Sequence, residues 1–182
     1  MIQIAEGDLL YHAVHGVCRV VEVDKQKQSG KQALYYSLVP KVASQMKSRF
    51  IIEATGMEAS GFHALVSLKE ANKILDYLKE GDKEPAPIPL AVNPRTGPSF
   101  VGQNQAWGLA RAIVFFSHEK FEAKDQKKRQ LLERSAKGLV GELALVFKSS
   151  LKETAARIQK SLGGAPKINP AVLLAIAQAG ED

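Results

Sequence analysis

Gly7-Asp8-Leu9-Leu10-Tyr11, a break at His15-Gly16, and then Val17-Cys18-Arg19-Val20-Val21-Glu22-Val23 form the stretch that decides the fold of this chain. β-Branched residues at nearly alternate positions suit a pleated, half-buried surface, so a strand pair is expected here. The polar run Asp24 to Lys31 has nothing apolar to bury and carries Gly30 near its end, which reads as a hairpin tip. Leu34-Tyr35-Tyr36-Ser37-Leu38-Val39-Pro40 is a third strand, closed by a proline that cannot donate to a ladder. Ser48-Arg49-Phe50-Ile51-Ile52 supplies a fourth. Four or five short strands in under sixty residues are too few for a sandwich. They most simply close as a small barrel of SH3 or Tudor type.

Beyond Ile52, Glu53 to Phe62 holds two glycines and reads as an irregular connection. Ser67-Leu68-Lys69-Glu70 has capping-box spacing, and Ala71, Ile74, Leu75 and Leu78 follow on one helical face until Gly81. That helix is expected to cover the open side of the barrel. Asp82 to Ser99 carries Pro85, Pro87, Pro89, Pro94 and Pro98, too many prolines for regular structure, and reads as a stiff linker. The expected organisation is α+β: residues 1–81 a Tudor-like barrel with its covering helix, 82–99 a linker, and 100–182 an all-α domain.

In the second half, Phe100 to Phe116 is helical, with Trp107, Leu109, Ala110, Ile113 and Val114 apolar. Lys127-Lys128-Arg129 opens a long helix that continues to Phe147 with apolar residues spaced by three and four. Gly138 and Gly141 each cost about 1 kcal/mol in a helix interior, which implies a closely packed neighbour. A second capping box, Ser150 to Glu153, starts a helix ending at Gly163, and Asn169-Pro170 starts an apolar final helix to Ala179.

Charge divides along the chain. Residues 1–90 hold 11 Lys/Arg against 11 Asp/Glu and residues 91–182 hold 14 against 8, so the net charge of +6 belongs to the second half. A neutral strand-rich module beside a basic helical one suggests a protein partner for the first and a polyanion for the second. Cys18 is the one cysteine, which excludes an internal disulfide and fits a reducing compartment. Without a membrane-length apolar run or an N-terminal leader pattern, a cytoplasmic protein is expected.

Two segments, in order, resemble the CarD/CdnL family of bacterial RNA-polymerase-binding regulators. The first is Gly7-Asp8, His15-Gly16-Val17, the hairpin, Tyr35-Tyr36-Ser37-Leu38 and Met46-Lys47-Ser48-Arg49. The second is the basic run at Lys128-Arg129 leading into Leu139-Val140-Gly141-Glu142-Leu143-Ala144. The resemblance covers residues 1 to about 147. It implies a Tudor-like barrel that grips the polymerase β subunit, partly by extending its sheet, and a helical domain at the upstream edge of the promoter bubble. By position it assigns Arg49 to polymerase contact with Tyr36 and Lys47 beside it. A second contact falls in the hairpin near Gln26, flanked by Lys25 and Lys27. It assigns Arg129 and Arg134, with Lys128, to nonspecific phosphate contact. A family tryptophan wedges into the minor groove at the fork, a role open to Trp107 with Arg111 as its phosphate partner. Counting back from the Leu-Val-Gly-Glu-Leu-Ala box instead puts Trp107 on the domain's second helix, where it would be core.

Enzymatic signatures are missing from the sequence: there is no phosphate-cradling glycine loop, no metal-ligand spacing and no nucleophile elbow. His12 and His15 read as turn and barrel residues, His63 and His118 stand alone, and Cys18 has only Arg19 near it in sequence. No cofactor or metal is expected, and a monomer is expected. The expectation is a bacterial transcription regulator that binds the polymerase β subunit and steadies promoter DNA. The alternative is an interaction module whose helical half serves dimerisation or another partner; a weaker option is nonspecific RNA binding.

Overall fold

The computed structural model describes residues 4–12, 14–28, 31–41, 48–81, 91–93, 97–99, 105–118, 120–121, 125–163 and 168–181. It divides into two compact units, residues 1–65 and 66–182. The chain is α+β, with a five-stranded antiparallel sheet in the first unit and a helical assembly in the second.

In the first unit β1 (Leu9–His12), β2 (Gly16–Gln28), β3 (Lys31–Pro40), β4 (Phe50–Glu53) and β5 (His63–Ala64) pair in the order β4-β3-β2-β1-β5. The sheet is open, with β4 and β5 as its edges. Gly16, at φ 67°, takes the left-handed conformation that lets β1 turn sharply into β2. The registers Leu10↔Cys18, Val20↔Leu38 and Tyr36↔Ile52 put alternate residues on one face. There Leu10, Cys18, Val20, Tyr36, Leu38, Met57 and Phe62 are buried together. Ladder pairing runs through the polar segment expected to be a hairpin tip, as far as Gln28↔Lys31. Backbone hydrogen bonds sustain a two-stranded ribbon beyond the end of the core, so the connection lies within the polar run but is shorter than it, residues 29 and 30 being outside the described residues. The stretch expected to be irregular after Ile52 contains a 3-10 turn (Ala54–Gly56) and the short helix α1 (Met57–Ser60).

The second unit holds α2 (Leu68–Glu80), a two-stranded pair β6 (Ala91–Asn93) and β7 (Gly97–Ser99), then α3 (Gln105–His118), α4 (Gln126–Phe147), α5 (Leu151–Leu162) and α6 (Pro170–Ala179). Both capping boxes form, with Ser67 Oγ accepting from Glu70 N–H and Ser150 Oγ from Glu153 N–H. Asn169 caps α6 with Pro170 at its first position. The apolar face of α2 (Ala71, Ile74, Leu78) joins one cluster with Leu109, Ile113, Phe116, Leu132, Leu139, Leu143, Ile158 and Ile176. The expectation that α2 covers the barrel is therefore corrected: it packs on α3, α4 and α5. So is the structureless linker, since β6 and β7 pair within it; residues 82–90 and 94–96 lie outside the described residues.

Glu142 anchors the start of this unit. Its carboxylate is fully buried and accepts the Val66 N–H at 3.2 Å, fixing the approach to α2 from the middle of α4. Burying a carboxylate is costly without such a donor. No described helix is long and apolar enough to cross a membrane.

Candidate functional site

On the outer face of the sheet the alternation breaks at Val21, where the register shifts between Val20 and Glu22. A bulge of this kind leaves two β2 residues opposite one partner, here Ser37, and sends both outward. Val21 is 43% exposed, and Ile51, which pairs Ser37 from the other side on edge strand β4, is 65% exposed. Across this row Arg49 Nη2 donates to Glu22 Oε2, both side chains being half exposed. An exposed pair of this kind is worth about 0–1 kcal/mol to stability. Its effect is on geometry: it holds the guanidinium over the face that ends in edge strand β4.

The other residues assigned to polymerase contact are scattered. Tyr36 is buried in the sheet core, opposite Val23 and Ile52, so it supports the face from below and is not an exposed contact. Lys25 stands exposed opposite Leu34, while Gln26 on the alternate face donates to Asp24. Lys27 pairs Gln32 in the ribbon, and Lys47 lies outside the described residues. Glu22, Val21 and Ile51 were not anticipated. The signal for Val21 and Glu22 was present as two consecutive valines followed by a charge, which breaks the period of two.

In the helical unit Arg111, Lys128, Arg129 and Arg134 are all exposed. Trp107 is half-buried against the core and meets Tyr77 edge-on, centroids 5.7 Å apart, so the core placement is the one seen. The first turn of α4 holds no acidic residue, and Asp125 makes no side-chain cap. Three cations, Lys127, Lys128 and Arg129, instead sit at the positive end of the helix dipole, at about 0.3–1 kcal/mol each. Arg129 lies 6.0 Å over the Phe121 ring, which stacks on Phe116 at 5.7 Å. Further along, Arg134 and Lys137 line a groove of about 500 Å³ with Glu133, Gln178 and Glu181, so that surface is of mixed charge.

Three groups of the sheet unit, His12, His15 and Cys18, have perturbed chemistry. Cys18 is fully buried and its thiol is pushed up to about 11 by that burial, which makes it unreactive at neutral pH. His12 packs against His15 and Phe62. Among the described residues no cluster of three or more His, Cys, Asp or Glu side chains is arranged to hold a metal.

No protein-family model matches the chain, and none of the curated proteins matches it.

Proposed function

We propose that the chain is a bacterial transcription regulator of the CarD/CdnL type, acting in the cytoplasm. Its open sheet is an SH3/Tudor-like module that docks on the RNA polymerase β subunit. The basic helical unit then contacts the phosphates of promoter DNA near the upstream fork. The observation that carries this reading is the exposed β4 edge, which no other strand pairs among the described residues, with Ile51 in its middle and Arg49 just before it. Such an edge offers backbone groups for strand addition, and flanking side chains supply specificity. The cations of the first turn of α4 favour an anionic neighbour, because phosphate relieves their repulsion by the helix dipole. Trp107 has no wedge role in this proposal; it braces α3 against α2.

The test is retention of the purified chain on the isolated polymerase β lobe. Arg49→Glu is expected to weaken retention at least about tenfold, equivalent to 1.4 kcal/mol. Unchanged retention would remove the polymerase contact. Reversing Lys128, Arg129 and Arg134 to Glu is expected to abolish binding to forked promoter DNA and to leave β-lobe retention intact. DNA binding that survives the reversal would remove these three cations as the contact, and no binding of forked DNA by the unaltered chain would favour the dimerisation alternative, for which the mixed-charge groove between α4 and α6 is the natural surface.

A further inference from the structure

The β1–β2 turn places two imidazoles face to face. His12, 3% exposed, and His15 have ring centroids 4.6 Å apart at 26°. Phe62 flanks His12 at 4.8 Å, and Phe50, the first residue of edge strand β4, flanks His15 at 4.5 Å. The two phenyl rings are themselves 5.4 Å apart. Four rings thus join the turn, β4 and the segment entering β5.

Hydrogen bonding fixes the tautomer of His12. Its Nδ1 accepts the backbone N–H of Val14 at 3.0 Å and of His15 at 3.2 Å, so the proton of the neutral ring is on Nε2. A proton added at Nδ1 would face two donors, cancel both bonds and place a charge against a second imidazole in an apolar setting.

We propose that this four-ring cluster is an acid-sensitive latch on the sheet's open edge: protonation of His12 breaks the turn's hydrogen bonds and the stack, and β4, held there through Phe50 on His15, loosens from β3. The groups around the ring agree. Burial first, then His15 from the turn and His63 from β5, hold His12 down at about 4, and a hydrogen bond to the Ser60 backbone of α1 acts in the opposite direction. Burial also lowers His15. With a value near 6.5 in the open form and about 4 in the closed form, the latch is fully stable above pH 6.5 and is lost as pH falls towards 4. By linkage, opening at pH 5 is about 30-fold more frequent than at pH 7.5.

Hydrogen exchange on the full chain reads this directly. After correction for intrinsic rates, those alternate amides of Phe50–Glu53 that bond β3 are expected to open about 30-fold more often at pH 5.0 than at pH 7.5. His12→Asn, whose Oδ1 replaces Nδ1 as acceptor without titrating, should flatten that dependence. His15→Phe should reduce it by keeping the stack and removing one charge. A wild-type ratio near one, or an undiminished ratio in His12→Asn, overturns the latch. If the Asn variant fails to fold, an NMR titration of the wild-type His12 ring decides: a midpoint near 4 supports the latch and one near 6.5 overturns it. The measurement needs no partner, so its failure leaves the docking role of β4 standing.

Discussion

The two units are held together by different means. Among the described residues, twenty-four buried apolar side chains form the helical core and seven form the core under the sheet. The helical unit can therefore rest on aliphatic packing, with capped helix ends completing it. The sheet unit closes its margin with stacked histidine and phenylalanine rings and with hydrogen bonds to a neutral imidazole. Small sheets bury little, and polar or titratable groups then carry a larger share of stability. Packing in one unit should be insensitive to pH, and closure in the other should not.

The largest effect should come from cutting into the bigger core. Leu139 is fully buried on α4, and Leu139→Ala removes its contacts and leaves a cavity. A loss of about 2–5 kcal/mol is expected in chemical denaturation. Hydrogen exchange should locate it in α3, α4 and α6 with the sheet amides unchanged. Equal loss of protection in the sheet would break the comparison.

Next comes acidity. His12 is depressed to about 4, so its contribution is complete above pH 6.5 and disappears by pH 4, costing up to about 3 kcal/mol in the sheet unit. The helical unit's shifted carboxylates behave differently. Glu70 and Glu153 are lowered by hydrogen bonds from the backbone and side chains of Ser67 and Ser150. Their contribution is present above the ordinary 4.5 and is lost only as pH falls through those lowered values. Circular dichroism and fluorescence followed from pH 7 to 4.5 should therefore show change in the sheet before the helices. Simultaneous loss would mean that the imidazole stack does not set the sheet's stability.

What was legible in the sequence follows the same division. Both capping boxes, the Asn169-Pro170 start and the stop at Gly163 are local hydrogen-bond signals, and each stands where its residues place it. The alternation of β1 to β4 was equally plain, because one face of each strand must be apolar. Packing partners were not legible. Nothing local in Ala71, Ile74 and Leu78 tells a sheet from a helix bundle, and α2 went to the bundle. The two-residue β5 is too short for a period. Its neighbour Phe62 completes the stack on His12 and His15, but only the fold brings them together. Arg49 was legible as a charge within the expected fourth strand, which begins one residue later, at Phe50. Its partner Glu22, 27 residues away, depended on a bulge.

Gly180 sharpens the packing side of the comparison. A Cβ there would lie 2.8 Å from Ala155 Cβ and 3.3 Å from Lys152 Cα, so the end of α6 approaches α5 as closely as a hydrogen atom permits. Its φ of −84° suits any residue, which leaves sterics as the only objection to a side chain. Gly180→Ala should cost about 1–3 kcal/mol of helical-unit stability as α5 and α6 separate. An unchanged midpoint would show that this contact yields easily.

The smallest effect tests backbone strain at the end of α4. Lys148, at φ 53° and ψ 41°, is the one described non-glycine residue with positive φ, and it ends the helix by donating to Ala144 and Leu145 carbonyls. For an L-residue that conformation costs roughly 1–2 kcal/mol, which glycine avoids. Glycine also loses more backbone entropy on folding, about 0.5–1 kcal/mol, so the two contributions largely offset. The side chain is exposed and adds little packing. Lys148→Gly is therefore expected to stabilise the helical unit by about 0.5 kcal/mol, read as a small rise in its denaturation midpoint. A fall instead would mean that the lysine's charge at the negative end of the α4 dipole outweighs the strain, and Lys148→Asn, which tolerates the same conformation without the charge, would then fall as well.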